Sequence, residues 1–194
     1  MISSDWLRMQ RVGVPAGIVT GEFAELGKLV KRAIESALPY RDRVEMFGLR
    51  DGKVLGGYYA NDKNHGVFGG GVDPGETPEQ AGAREFIEEA GYRLDNPRLL
   101  PVPPVVHDWK PPYASVAQAE RAKQFRGSRS FYGTGDVGDP VPEEERGPDM
   151  RNGDLQNIRF RSLHTALKRT TAKRGMNREA TQGRRQALRM LLGK

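Results

Sequence analysis

Residues 70–92 read GGVDPGETPEQAGAREFIEEAGY, and this stretch carries the strongest structural signals in the chain. Thr77 is a typical helix N-cap, Pro78 suits a first helical turn, and a Thr-x-x-Gln capping box begins at Thr77. Gly91 is the residue type at which helices commonly end. The stretch therefore predicts a glycine-rich loop followed by a helix over residues 77–90.

The predicted helix carries three glutamates on one face. Glu85, Glu88 and Glu89 stand at positions i, i+3 and i+4, which project from a helix in the same direction. Three like charges repel one another unless something positive lies among them, and carboxylate oxygens are the ligands that Mg²⁺ and Mn²⁺ prefer. Arg84 stands four residues before Glu88 and can orient it. A divalent-cation site fits this pattern, whereas a glutamate pattern alone is more typical of a solvated surface helix.

The loop before the helix supports the first interpretation. It is rich in glycine and contains a turn at residues 73–75. Glycine lets the backbone approach a neighbouring group closely, and clustered backbone groups can hold phosphate or offer a carbonyl to a cation.

The full spacing of residues 70–92 resembles the Nudix box, the motif of the Nudix hydrolases. That box consists of Gly, five residues, Glu, seven residues, and then Arg-Glu-hydrophobic-x-Glu-Glu-x-Gly-hydrophobic. The matching residues are Gly70, Glu76, Arg84, Glu85, Phe86, Glu88, Glu89, Gly91 and Tyr92. The two hydrophobic positions hold aromatic side chains, where aliphatic ones are commoner. The order of the predicted elements between about residues 42 and 171 also resembles that of the family.

The resemblance implies an α+β fold, an α/β/α sandwich around a mixed β-sheet. It also implies hydrolysis, dependent on Mg²⁺ or Mn²⁺, of a diphosphate linked to another moiety, commonly a nucleoside diphosphate. The implied roles are catalysis at Glu85, Glu88, Glu89 and Arg84, metal ligation by the three glutamates and the Gly70 carbonyl, and loop support by Glu76 and Gly91. One of the metal-binding glutamates is also expected to accept the proton of the attacking water.

A further acidic residue often comes from a later loop in members of this family. The candidates in this chain are Asp136, Asp139 and the glutamates at 143–145, and the sequence leaves the choice among them open.

Residues outside the box are expected to select the substrate. Trp109 and Tyr113 are candidates for stacking on a base, with packing at the edge of the core as an equal alternative. Lys123, Arg126 and Arg129 are candidates for phosphate binding, although exposed cations are usually only solvated.

The remaining pattern predicts an extension at each end of one central domain. The expected boundaries are an N-terminal extension at 1–41 with an amphipathic helix, a hydrolase domain at 42–171, and a basic C-terminal helix at 172–194. Asp51-Gly52 between two apolar runs predicts a hairpin. Other expected elements are helices at 22–38, 115–125, 163–171 and 177–192, strands at 43–49, 53–59, 66–69, 98–106, 128–134 and 157–162, and an acidic loop at 135–154.

Positive charge is concentrated near the C-terminus. Residues 156–194 carry eleven basic residues and one acid, so this segment is +10 in a chain of net charge +6. A solvated helix face is one interpretation, and contact with an anion such as RNA is the other. The candidates for RNA contact are Arg178, Arg184, Arg185 and Arg189. An apolar stripe on the same helix predicts either docking on the domain or pairing in a homodimer; its residues are Ala180, Ala187, Leu188, Leu191 and Leu192.

The composition excludes several classes of protein. The chain has no cysteine, which removes disulfides, thiolate metal sites and a cysteine nucleophile, and only three histidines. No run of about 20 apolar residues is present, and residues 1–13 lack the apolar block of a secretory signal. We therefore expect a cytoplasmic protein without a membrane partner.

Three functions remain open from the sequence. The first is a diphosphate hydrolase acting on a nucleotide-type small molecule, and the second is a pyrophosphohydrolase acting on RNA 5′ ends. The third is a module of the same fold that binds a nucleotide without cleaving it, because one fold can host unrelated functions.

Overall fold

The computed structural model describes residues 16–59, 66–113, 115–147, 155–170 and 178–193. The chain divides into two compact units, residues 1–38 and residues 39–194. The predicted C-terminal segment belongs to the second unit.

The first unit contains one helix among its described residues, α1, which spans Ala16–Ala37. Ion pairs between residues three or four positions apart stabilise it, with 2.7 Å from Lys28 Nζ to Glu25 and 3.8 Å from Lys31 Nζ to Glu35. The predicted N-terminal helix is therefore confirmed, and it begins earlier than expected.

The second unit alternates strands and helices around one sheet. Its described elements are β1 Tyr40–Arg50, β2 Lys53–Tyr59, α2 Pro78–Ala90, β3 Tyr92–Leu99, β4 Val105–Asp108, α3 Val116–Arg121, β5 Gly127–Pro140, a 3-10 helix Glu143–Glu145, β6 Leu155–Ser162, α4 Leu163–Arg169 and α5 Arg178–Leu191. The six strands form a sheet of order β3-β5-β1-β2-β6, with β4 pairing to the first half of β5.

The sheet is mixed, as predicted. β1 and β5 run parallel, while the other strand pairs are antiparallel. The predicted hairpin joins β1 to β2 at Asp51-Gly52, where both residues have positive φ (51° and 67°). Asp-Gly suits such a turn because both central positions need left-handed backbone.

Two hydrophobic clusters lie on opposite faces of the sheet and define the α/β/α sandwich. On one face, Phe86 of α2 packs with Val44 and Met46 of β1. On the other face, Leu188 of α5 packs with Phe47 of β1. β1 is shared by both clusters because its side chains alternate between the faces.

Three predicted segments differ from the structure. The strand expected at 66–69 is wrong, because Gly66 and Phe68 form only isolated bridges, to Gly57 and Met46. The strand expected at 98–106 is instead two strands, because Pro101, Pro103 and Pro104 have no N–H to continue a ladder. The loop expected at 135–154 begins later, because β5 continues to Pro140 and pairs with β3, with Leu94 opposite Val137.

No helix among the described residues is long and apolar enough to cross a membrane.

Candidate active site

Helix α2 begins and ends where the sequence predicts. The Thr77 hydroxyl accepts the Gln80 N–H at 3.3 Å, and the Gln80 amide oxygen accepts the Thr77 N–H at 2.8 Å, which completes the capping box. Gly91 closes the helix in left-handed conformation at φ 72°. Because Phe86 is fully buried against the sheet, the glutamate face of α2 is turned away from that core.

Arg84 is the centre of the polar network on this face. Its guanidinium forms a two-pronged pair with Glu76, at 2.9 Å from Nε and 3.0 Å from Nη2. Nη1 donates to Glu85 at 3.0 Å and lies 3.5 Å from the Glu88 carboxylate. Nη2 also donates to the Gly71 carbonyl at 3.0 Å. The predicted contact between Arg84 and Glu88 is present, and Arg84 joins the loop to the helix.

The Glu76–Arg84 pair stabilises both charged forms. Hydrogen bonding from Arg84 lowers the pKa of the Glu76 carboxyl, and Glu76 raises the pKa of Arg84. Glu76 also accepts the Asp73 N–H at 3.1 Å, which fixes the turn before α2. Glu76 therefore contacts both the turn and Arg84, and its loop-supporting role stays a prediction.

Glu85 is more enclosed than Glu88. Its side chain is 15% exposed, compared with 40% for Glu88. Burial raises the pKa of Glu85, although Arg84 acts in the opposite direction. The carboxylate occupies the space that a Cβ on Gly70 would need, since such a Cβ would fall well inside 3.0 Å of both oxygens. Glycine at 70 thus makes room for Glu85.

Glu89 is held by the same loop. Its Oε2 accepts the Gly69 N–H at 2.8 Å. Gly69 can hold no side chain, because a Cβ there would collide with the backbone of Val44. The Gly70 carbonyl accepts the Val44 N–H at 3.0 Å, so one of its two lone pairs is already engaged in the sheet.

The donor set fits a hard divalent cation. Carboxylates and a backbone carbonyl are the oxygen ligands that Mg²⁺ and Mn²⁺ take. The space beside Gly70 that the Glu85 carboxylate fills, here called the Gly70 cradle, brings that carboxylate against the glycine backbone. Among the described residues, no three acidic or histidine side chains already converge as a ready ligand group. Glu85 and Glu88 instead meet through the guanidinium of Arg84, a positive charge of the kind that their repulsion requires.

The NUDIX domain model matches residues 39–178, which is more than half of the chain. The chain belongs to the NUDIX domain family. This membership confirms the resemblance drawn from residues 70–92, and it makes the protein a Nudix pyrophosphohydrolase. No curated protein matches the chain by sequence.

Three solved structures are similar to this Nudix chain. The E. coli ORF135 protein is 19% identical over 81% of this chain and 92% of its own, with a TM-score of 0.45. A structure described as an ADP compounds hydrolase is 17% identical over 81% and 73%, with a TM-score of 0.47. The MutT protein from Bacillus halodurans is 15% identical over 66% and 72%, with a TM-score of 0.47. These values are too low to transfer a substrate or a residue's role.

The cations predicted for phosphate binding are paired with carboxylates. Arg129 forms a two-pronged pair with Asp42 at 2.7 and 2.8 Å. Arg126 lies 3.4 Å from Asp108, and Lys123 Nζ lies 2.6 Å from its neighbour Glu120. Each charge therefore has a carboxylate partner within the Nudix unit, and phosphate binding by these residues stays a prediction.

The candidate acids fall into two groups. Asp136 and Asp139 lie in β5, where Asp136 accepts a hydrogen bond from the Asn96 amide at 3.1 Å. The glutamates at 143–145 form a 3-10 helix in a segment joined to the end of α2, because the Gly147 N–H donates to the Glu88 carbonyl at 2.8 Å. A backbone hydrogen bond thus joins the segment that follows the second group to the glutamate helix, and a role for either group stays a prediction.

The aromatic candidates lie between β4 and α3. Trp109 and Tyr113 are both partly buried, and the backbone N–H of Trp109 donates to the Arg126 carbonyl at 2.9 Å. A stacking role for either ring stays a prediction.

The basic C-terminal helix is part of the Nudix unit. Arg184 forms a two-pronged pair with the buried Glu45 of β1, with both distances at 2.7 Å. Arg185 donates to the carbonyls of Leu167 and Thr170, which lie at the end of α4. With Leu188 fully buried, the apolar stripe docks on the domain. Two of the four arginines proposed for RNA are therefore used to hold the fold.

Sequence reasoning missed three positions. Gly69 and Gly71 flank the box glycine and contact Glu89 and Arg84 respectively. Arg41 lies against Gly71, where a Cβ would stand 2.6 Å from its Cζ. The run of three consecutive glycines was the one sequence signal for these contacts, because a position occupied by glycine often has a neighbouring group in the space of a side chain.

Proposed function

We propose that this Nudix protein hydrolyses a diphosphate bond in a nucleoside diphosphate-linked small molecule, with Mg²⁺ or Mn²⁺ as its cofactor. The observation that carries the proposal is the contact of Glu85 and Glu88 with one guanidinium, that of Arg84, together with the contacts of Glu85 and Glu89 with the glycine backbone at residues 69 and 70. Nucleotide-type substrates are proposed because the complete box resembles those of enzymes acting on such compounds.

The glutamates would hold the cation, with the Gly70 carbonyl as a further oxygen ligand through its remaining lone pair. The cation, when bound, neutralises charge on the diphosphate and lowers the pKa of bound water. Arg84 holds Glu85 and Glu88 in fixed orientations, and Glu76 fixes Arg84 from the loop side. We assign acceptance of the water proton to one of the three glutamates.

Contacts outside the box bear on the alternatives. RNA as substrate is disfavoured because Arg184 and Arg185 are engaged within the domain. A binding module without turnover has no specific support, since the full set of glutamates is present and is held by Arg84, Glu76 and the glycine loop.

The test is a hydrolysis assay on the full chain with Mg²⁺ or Mn²⁺. The panel contains nucleoside triphosphates, ADP-ribose, dinucleoside polyphosphates, NADH, coenzyme A and capped RNA, with phosphate and nucleotide products quantified. The inactive variant is Glu88→Gln with Glu89→Gln, and the matched control is Glu79→Gln, which makes the same exchange in the first turn of the same helix.

Turnover of one substrate class, lost in the double variant and kept in Glu79→Gln, supports the proposal. Ligand-induced thermal stabilisation without turnover under either metal refutes it and favours a binding module. Undiminished turnover in the double variant also refutes it, because the assigned glutamates would then be dispensable.

A further inference from the structure

Arg41 and Arg43 of β1 lack the carboxylate partners that several other described arginines of the Nudix unit possess. Among the described residues, Arg41 and Arg43 form no ion pair, and both are partly buried. Their acidic neighbours along the strand are engaged elsewhere. Asp42 pairs with Arg129 at 2.7 Å, and Glu45 pairs with Arg184 at 2.7 Å.

The register of β1 places both arginines on one face. Glu45 and Phe47 of β1 face α5, so Arg41 and Arg43 share that side by alternation. Their register partners in β5 are the buried hydroxyl residues Ser128 and Ser130. The result is a polar patch on the sheet face whose apolar cluster includes the buried side of α5.

Only the glycine backbone at residues 70–71 separates this patch from the glutamate site. Arg43 bridges Gly71, and the Arg41 guanidinium lies against Gly71 in the space that a Cβ would need. Glu85 occupies the corresponding space at Gly70. Adjacent residues of an extended segment point to opposite sides. Glu85 and Arg41 therefore lie on opposite sides of the backbone at Gly70 and Gly71, which has no side chains between them.

Positive charge accumulates at the patch. Burial lowers the pKa of Arg41, and the nearby positive charges of Arg121 and Arg43 lower it further, while Asp73 and Glu85 act in the opposite direction. Two neighbouring guanidiniums on one face, with no carboxylate in an ion pair with either, favour a bound anion. The planar guanidinium fork matches phosphate oxygens, which it can bind through two parallel hydrogen bonds.

We propose that Arg41 and Arg43 form a second phosphate subsite that binds a phosphate group of the substrate beyond the diphosphate under attack. The proposal rests on the proposed function, and it narrows the substrate class to compounds with at least three phosphate groups. The additional group belongs either to one continuous polyphosphate chain or to a separate phosphate ester on the same substrate.

The test measures binding of two inorganic probes by calorimetry in the presence of Mg²⁺. Pyrophosphate and tripolyphosphate are titrated into the full chain, into the variant Arg41→Gln with Arg43→Gln, and into Arg93→Gln. Arg93 is the matched control, because it is an exposed arginine in β3. The wild type should bind tripolyphosphate at least about tenfold more tightly than pyrophosphate, since hydrogen bonds between charged groups are among the stronger ones.

The double variant should lose about tenfold or more in tripolyphosphate affinity and about twofold or less in pyrophosphate affinity. Arg93→Gln should behave as wild type. Equal affinity for tripolyphosphate in wild type and double variant overturns the subsite, as does an equal loss for both probes. A hydrolysis assay with two substrates then identifies the origin of the additional phosphate group. A nucleoside triphosphate represents the continuous polyphosphate chain, and a diphosphate compound with a distant phosphate ester represents the separate group.

Thermal melting distinguishes binding from a structural role. Replacing mutually repelling guanidiniums that form no ion pair should leave the Tm of the ligand-free double variant unchanged or raise it. A fall of several degrees assigns the arginines to the fold and overturns the subsite. If the tripolyphosphate difference holds while no substrate is hydrolysed, the proposed function fails and the subsite stands. If the double variant hydrolyses substrate as well as wild type does, the subsite fails and the proposed function stands.

Discussion

Gly70→Ala is the most discriminating single substitution in this site. Gly70 has no positive φ, so its backbone conformation accepts alanine. The added Cβ would nevertheless fall well inside 3.0 Å of the Glu85 carboxylate, which must move by about 1 Å to restore a normal contact. The substitution therefore displaces one proposed metal ligand and leaves every other group of the site chemically intact.

The expected loss in kcat/KM is about 100-fold, because a displacement of about 1 Å in a catalytic geometry costs on that order. The free energy of unfolding should fall by no more than about 1–3 kcal/mol, the usual cost of overpacking. A steady-state assay of diphosphate hydrolysis across a Mg²⁺ titration measures the first quantity, and thermal melting measures the second.

Gly75→Ala is the matched control. Gly75 lies in the same loop at φ 91°, and a Cβ added there would meet no described atom within 4 Å, so it would not touch Glu85. Alanine there is strained by about 1–2 kcal/mol and should lower the Tm while leaving kcat/KM within about threefold. If Gly70→Ala retains near-wild-type activity, or if both variants lose activity equally, the assignment of the Gly70 cradle is wrong.

Three further outcomes follow from the polar contacts. Arg84→Met should lower the free energy of unfolding by about 2 kcal/mol, since its partly exposed ion pairs with Glu76 and Glu85 are lost, and Mg²⁺ should restore part of the Tm by replacing the missing charge. Glu45→Gln should cost about 3 kcal/mol in urea denaturation because Arg184 loses its carboxylate partner, whereas the double change of both residues to Met should cost less. Because the folded pKa of Glu76 is depressed below 4.5, the extra stability of wild type over Glu76→Gln should be complete at neutral pH and disappear as the pH falls through that depressed pKa, as measured by melting between pH 7 and pH 3.

The local signals around α2 were sufficient to predict its ends. Thr77, Gln80 and Gly91 act through contacts within one or two turns, so a sequence pattern contains all the information that determines them. The Glu76–Arg84 and Arg84–Glu88 contacts were predictable for a related reason, because helix geometry and a short loop bring the partners together.

Contacts between distant segments were not predictable in the same way. Arg129 looked available for phosphate, yet Asp42 neutralises it across the β1–β5 register, and that register depends on the whole sheet. The roles of Arg41 and Arg184 were hidden for the same reason. A single sequence shows how many charges a segment carries, whereas only the fold shows which of them have partners.

Each of the three consecutive glycines at 69–71 contacts a different part of the molecule, so alanine at each position tests a different contact. A methyl group at Gly69 would strike the Val44 backbone, one at Gly70 would strike Glu85, and one at Gly71 would strike Arg41. Alanine scanning of a run of identical residues usually yields one repeated phenotype. Here the same one-carbon change, moved by single steps along the chain, would disturb strand pairing first, then the carboxylate cluster, and then the guanidinium patch, so neighbouring positions can separate folding defects from defects in each kind of binding.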